Sequence, residues 1–155
     1  MERSKTMTTK EYLKQLKRIG VQLKQIENEI EKLRADVTST TIRPKDINVI
    51  SSIPLDPMGD TLALIVDLQM RYQAKWDKLI ELRVRIVEQI QSMNNPLYME
   101  ILYLKYVEYE KYPEWSQVFN QIRTQNPEWH YSDRQLFRAH GNALVEFAKH
   151  VSECQ

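Results

Sequence analysis

The sequence predicts an all-α protein: a long N-terminal antiparallel helical hairpin of coiled-coil character, followed by a C-terminal helix-turn-helix domain. Three observations lead there. Apolar residues from Tyr12 to Val37 recur at alternating steps of four and three, the mark of a heptad seam. A second run of the same kind extends from Leu62 to Met93. With 3 Gly and 6 Pro against 28% charged residues, the chain is poor in the punctuation that a turn-rich sheet protein needs.

The first helix carries Tyr12, Leu16, Ile19, Leu23, Ile26, Ile30, Leu33 and Val37 on one stripe, with Lys17, Arg18, Lys24, Glu27, Glu29, Glu31 and Lys32 between them. Such a helix buries one narrow face against a partner helix, and Leu16, Ile19, Leu23, Ile26, Ile30 and Leu33 are the expected pairing residues. That partner is either the second helix or the same helix of another subunit. Thr8 with Glu11 three residues on is a capping-box start. Gly20 weakens the helix locally by about 1 kcal/mol relative to Ala.

From Thr38 to Pro57 the periodicity stops, and Pro44, Pro54 and Pro57 bar a continuous helix. This predicts a connecting loop whose Ile47, Val49, Ile50, Ile53 and Leu55 supply apolar groups for docking. The second helix starts at Asp56 as cap with Pro57 in its first turn and runs to about Met93. Its stripe is Leu62, Ile65, Leu68, Tyr72, Trp76, Leu79, Leu82, Ile86, Ile90 and Met93. Ser92 to Pro96 reads as a hinge, which divides the chain into a hairpin over 1–95 and a second domain over 96–155. The latter begins with a helix over Leu97–Glu110, with Leu97, Ile101, Leu104 and Val107 inward. Helices over Pro113–Gln125 and Ser132–Val151 follow, separated by a break at Asn126–Tyr131.

At 155 residues the chain is long enough for one domain with a real core, or for one small domain plus an extension, and not for two large ones. The single Cys154 supplies neither a disulfide framework nor a thiol pair for metal or redox chemistry, as expected of a cytoplasmic protein. No signal peptide is evident, and no stretch approaches the roughly 18 apolar residues of a membrane span. Net charge is +1, unevenly placed: residues 1–95 hold 16 Lys and Arg against 13 acids, whereas residues 96–155 hold 6 against 8. Phosphate neutralisation supplies most non-specific DNA affinity, so the acidic C-terminal part is a poor DNA binder as an isolated monomer.

The last two segments carry the chemistry. Trp115, Val118, Phe119 and Ile122 make one apolar face of a supporting helix. In the last helix Leu136, Ala139 or His140, Ala143, Leu144 and Phe147 point inward. Asp133, Arg134, Gln135, Phe137, Arg138 and Asn142 point elsewhere. The N-terminal half of a recognition helix is the part that enters the major groove. There Arg grips guanine, and Gln or Asn grips adenine, through paired hydrogen bonds.

Leu102 to Tyr106, the Trp-led helix with Val118 and Ile122, and Ser132 with Arg138, His140, Ala143 and Leu144 together resemble a sigma-70 region-4-like helix-turn-helix. The front of the chain, TTKEYLKQLKRI, VISSIPLDPMGD and LALIVDLQ, is similar to the N-terminal portion of phage and prophage late transcription regulators of the ArpU and RinA kind, from Gram-positive hosts. The resemblance covers nearly the whole chain, although helix-turn-helix patterns are degenerate. It implies a sigma-like activator of phage late genes that binds double-stranded DNA, with Asp133, Arg134, Gln135, Phe137, Arg138 and Asn142 at base-facing positions and the hairpin available for a second copy or for host RNA polymerase. One departure from the family is the long turn, RTQNPEWHY, with Pro127 and Trp129 in it. Such a turn either tilts the last helix away from the groove geometry or adds Arg123 and His130 to backbone contacts.

Two other classes remain beside this reading. A protein–protein adaptor or anti-repressor, whose helix-turn-helix no longer binds DNA, fits the acidic tilt of residues 96–155. A nucleic-acid enzyme such as a small terminase or nuclease component has only the phage-like context. There is no Gly-rich phosphate loop, nucleophile elbow or carboxylate cluster at metal-binding spacing, so an enzyme is not expected. His130, His140 and His150 match no zinc-site spacing, and neither a metal nor a cofactor is expected. His140 reads as a hydrogen-bonded core residue. Tyr103, Tyr106, Tyr109, Tyr112, Trp115, Trp129 and Tyr131 are read first as packing residues, ahead of stacking on unpaired bases.

Overall fold

The computed structural model describes residues 7–39 and 57–153, which fold into α-helices and one π-helical turn, with no strand among them. Helix α1 (Thr9–Ser39) opens on the expected capping box. The Thr8 amide donates to Glu11 Oε2 at 2.9 Å, and the Glu11 amide donates back to Thr8 Oγ1 at 3.3 Å. At the other end Thr38 Oγ1 donates to the Ala35 carbonyl at 2.9 Å and Ser39 Oγ to the Asp36 carbonyl at 3.0 Å. Helix α2 spans Pro57–Gln91. The expected Asp56 cap and most of the Thr38–Pro57 loop lie outside the described residues.

The chain forms two compact units whose boundaries fall inside α1 and α2: Met1–Arg18 with Leu79–Gln155, and Ile19–Lys78. The ends of the two long helices thus belong to the same unit as the C-terminal helices, a different grouping from 1–95 and 96–155.

In the Ile19–Lys78 unit, Ile19, Leu23 and Ile30 of α1 and Ile65 of α2 are buried, while Ile26 and Leu33 are half-buried. Lys75 Nζ donates to Gln22 Oε1 at 3.0 Å, tying the two helices at their polar margin. These seam residues are covered within one chain. Two residues assigned to the inward stripe of α2, Leu62 and Trp76, are exposed instead. Leu62 belongs with Val66 and Met70 to a row at steps of four, 49%, 53% and 67% exposed, beside the Ile65, Leu68 and Tyr72 row that faces α1. Steps of three and four occur in both rows, so spacing alone does not choose between them.

In the other unit, Leu13 and Leu16 of α1 and Leu82, Ile86 and Ile90 of α2 are buried in the same unit as the C-terminal helices. Tyr12 donates its hydroxyl to Gln89 Oε1 at 2.9 Å, and its ring centroid lies 6.2 Å from that of Phe147. Helix α3 (Pro96–Leu102) is capped by Asn95, whose Oδ1 accepts from the Leu97 and Tyr98 amides at 3.0 and 3.3 Å, with Pro96 where no amide is missed.

The helix expected over Leu97–Glu110 is not one α-helix. It changes at Tyr103 into a π turn, Tyr103–Val107, closed by the Glu108 amide donating to the Tyr103 carbonyl at 3.0 Å. Side chains hold the wide turn from both sides. Arg83 donates to the Val107 carbonyl at 3.4 Å and to Glu108 Oε1 at 3.0 Å, and the Tyr103 hydroxyl donates to the same carboxylate oxygen at 3.2 Å. Inside, Leu104, Tyr106 and Val107 are all buried.

Candidate nucleic-acid interface

Helices α4 (Trp115–Gln125) and α5 (Asp133–Glu153) close this unit. Val118, Phe119 and Ile122 from α4 meet Leu136 and Ala139 from α5 and Leu97, Ile101 and Leu104 from α3 and the π turn in one apolar cluster. Each is removed from water almost entirely, and a buried Phe or Leu contributes about 1.5–3 kcal/mol. Trp115 is the aromatic hub: its ring lies 5.5 Å from Phe119, 5.3 Å from Phe137 and 4.6 Å from His140, edge-on to the last two. Packing, the expected use of Tyr106 and Trp115, accounts for both.

His140 is buried, and its Nε2 shares a hydrogen bond of 2.9 Å with the Tyr106 hydroxyl. Burial, with the charges of Lys10 and Lys105, holds the imidazole down to about 4, and burial pushes Tyr106 up to about 12. The pair is therefore neutral at pH 7 and locks α5 to the π turn.

The break between α4 and α5 is braced. Arg123 donates to the Tyr131 carbonyl at 3.3 Å and forms an ion pair with Asp133. The Trp129 amide donates to the Asn126 carbonyl at 2.9 Å, and the Trp129 and Tyr131 rings meet edge to face. Arg123 thus ties the start of α5 to the end of α4 across the long turn.

All six proposed base-facing residues lie exposed on the first three turns of α5, opposite buried Leu136, Ala139, His140 and Ala143. They divide into two groups. Asp133 is held by Arg123, Phe137 packs its ring edge against Trp115 and Phe119, and Gln135 serves as a cap. Gln135 Oε1 accepts from the Ser132 amide at 2.8 Å while the Gln135 amide donates to Ser132 Oγ at 3.3 Å. The side chains of Arg134, Arg138 and Asn142 make no hydrogen bond or ion pair among the described residues and face solvent. Gln135's role was legible as a Ser-x-x-Gln capping box.

A second feature had no sequence signal. Lys10, Lys14 and Lys17 of α1, Lys105 and Tyr106 of the π turn, and Tyr109, Pro113 and Trp115 beyond it line a cleft of about 270 Å³. Lys105 Nζ donates to the Pro113 carbonyl at 3.1 Å and sits 4.5 Å over the Trp115 ring. Burial lowers its pKa, and the charges of Lys17, Lys14 and Lys10 add to this against the pull of Glu114. The cleft shares Trp115 with the packing of Phe137, so it borders the first turns of α5. No group of His, Cys, Asp and Glu among the described residues is arranged to hold a metal ion. No described helix is long and apolar enough to cross a membrane. Comparison with protein-family models, with curated proteins and with solved structures finds no match to this chain.

Proposed function

We propose that the protein is a DNA-binding transcriptional regulator, a sigma-like activator of phage late genes that works in the cytoplasm of a bacterial host. In this reading α4 and α5 are the two helices of a helix-turn-helix, and α5 lies in the major groove of double-stranded DNA. The observation that carries it is the pair Arg134 and Arg138, one turn apart on the exposed side of the first turns of α5, while the opposite side is fixed in the apolar cluster. A rigid helix with two unengaged guanidiniums at its start has the chemistry for guanine edges and phosphates. Asn142 adds an amide further along the same exposed side.

The long helices form the hairpin that makes the reader dimeric or meets host RNA polymerase. Because the heptad residues of α1 are covered in cis, a second copy docks on the outward row of α2, Leu62, Val66 and Met70. Two readers double the phosphate and base contacts of one.

The test is salt-dependent binding to duplex DNA from upstream of phage late genes, comparing wild type with Arg134→Ala/Arg138→Ala. Each guanidinium lost from a base edge costs about 1–3 kcal/mol, so affinity falls at least tenfold. Equal affinity of the two proteins, or no binding at any salt, removes the proposal. One observation favours the adaptor alternative: Asp133, Gln135 and Phe137 are engaged within the fold, leaving half of the expected reading set to act on DNA. Absence of DNA binding with retention of a protein partner would select that reading.

A further inference from the structure

We infer that the cleft between the start of α1 and the π turn is a binding site for a phosphoryl group. Lys10, Lys14 and Lys17 stand at i, i+4 and i+7 along one side of α1, and Lys105 approaches from the π turn, so four lysines line a single space of about 270 Å³. The lining contains no carboxylate. Four like charges on one lining, with the Glu114 carboxylate near Lys105 as a partial counter-charge, favour an anion of high charge density.

The donors and the dimensions narrow the anion's class. An ammonium is a compact, strongly hydrated charge with three rotatable donors, and it meets a tetrahedral phosphoryl oxyanion as a point charge from any side. The space lies below the roughly 300–1,000 Å³ of pockets that enclose drug-sized ligands, and one face of the Trp115 ring is covered by the Lys105 ammonium. Recognition thus rests on the phosphoryl group itself. Lys105 is held in place by the Pro113 carbonyl and the Trp115 ring before any ligand arrives. π turns of this kind often occur at functional sites. Two sources present the same chemistry: the backbone of duplex DNA and a free phosphate compound.

The inference does not depend on base reading by α5, and the test keeps the two apart. Full-length wild type, Lys14→Gln/Lys17→Gln, Lys14→Arg/Lys17→Arg and Lys24→Gln/Lys78→Gln are titrated with pyrophosphate, followed by phosphorus-31 line width. The same proteins are titrated with duplex DNA of unrelated sequence across a salt series. All four substituted lysines are exposed, so the variants keep the fold. Pyrophosphate affinity is expected to fall about tenfold or more in Lys14→Gln/Lys17→Gln, and to be kept in the arginine variant and in Lys24→Gln/Lys78→Gln. If the source is duplex DNA, the slope of log K against log salt also falls by about 1 for each phosphate contact removed. An unchanged slope beside lost pyrophosphate binding assigns the site to a free phosphate compound. Equal losses in the two glutamine variants, or neither pyrophosphate binding nor a change of slope, overturn the inference. Arg134→Ala/Arg138→Ala is expected to bind pyrophosphate as wild type does, whatever its effect on DNA.

Discussion

Lowering the pH from 7 to 4.5 is expected to destabilise the protein through His140 in particular. The imidazole is buried against Tyr106 and Trp115, and its folded pKa is held at about 4. In the unfolded chain it returns to about 6.5. Above pH 6.5 neither state binds the proton, and the stability is complete. Between 6.5 and 4 the unfolded state binds it and the folded state does not, so stability falls with pH; below 4 both bind it and the loss levels off. The full gap corresponds to about 3 kcal/mol, of which about 2.5 is lost by pH 4.5. Other groups titrate in the same range. Glu100, whose pKa is raised by burial, acts in the opposite sense, since its folded form takes up a proton first. A comparison with His140→Gln isolates the histidine, because glutamine places a hydrogen-bonding group near the Nε2 position and does not titrate. Urea unfolding of both proteins at several pH values is the assay. The wild type should lose about 2 to 3 kcal/mol more than His140→Gln over this interval. Identical pH slopes, or a His140 pKa at or above 6.5 measured by NMR in the folded protein, would refute the assignment of His140 as a neutral core residue.

Two further outcomes follow from the packing. Asn95→Ala removes the side chain that caps α3 at two amides. It should lower stability by about 1 kcal/mol, read as a reduced thermal midpoint with the helical content at low temperature unchanged. If the outward row of α2 joins two copies, Leu62→Glu/Val66→Glu should shift the mass in solution at tens of micromolar from dimer to monomer; a wild type that is monomeric at that concentration removes the second-copy docking.

Much of the helical plan was legible because it rests on short-range patterns. The start of α1 follows from Thr8 and Glu11, and the buried side of α5 from Leu136, Ala139, Ala143 and Phe147. His140 was legible too, since a lone imidazole within an apolar stripe finds its partner in the core. Other features depend on contacts distant in sequence. The π turn is held by Arg83, some 20 residues earlier, and nothing in the local sequence from Tyr103 to Val107 distinguishes it from an α-helix. Lys10, Lys14 and Lys17 look like the solvated side of a heptad helix; only the packing of α1 beside the π turn turns them toward Lys105. The same packing alters the electrostatic reading. The acidic tally of residues 96–155 leaves out the lysines that α1 adds to this unit, and they border the helix on which DNA recognition is proposed. In α2 the choice between the Leu62 and Ile65 rows required the partner helix, because both rows satisfy the helical period.

The compact unit that contains α5 is discontinuous in sequence, made from Met1–Arg18 and Leu79–Gln155 with Ile19–Lys78 intervening. Its formation is therefore a problem of chain closure. Leu13 and Leu16 reach their places beside the later helices only after some 60 residues have been looped out, an entropic cost that grows slowly with loop length and that slows folding of non-local topologies. Pre-forming local helix in the intervening segment shortens the effective loop, so helix propensity between Ile19 and Lys78 bears on how fast the reading unit assembles as well as on its own stability. A fragment that begins at residue 96 lacks Leu13, Leu16 and the three lysines of the cleft.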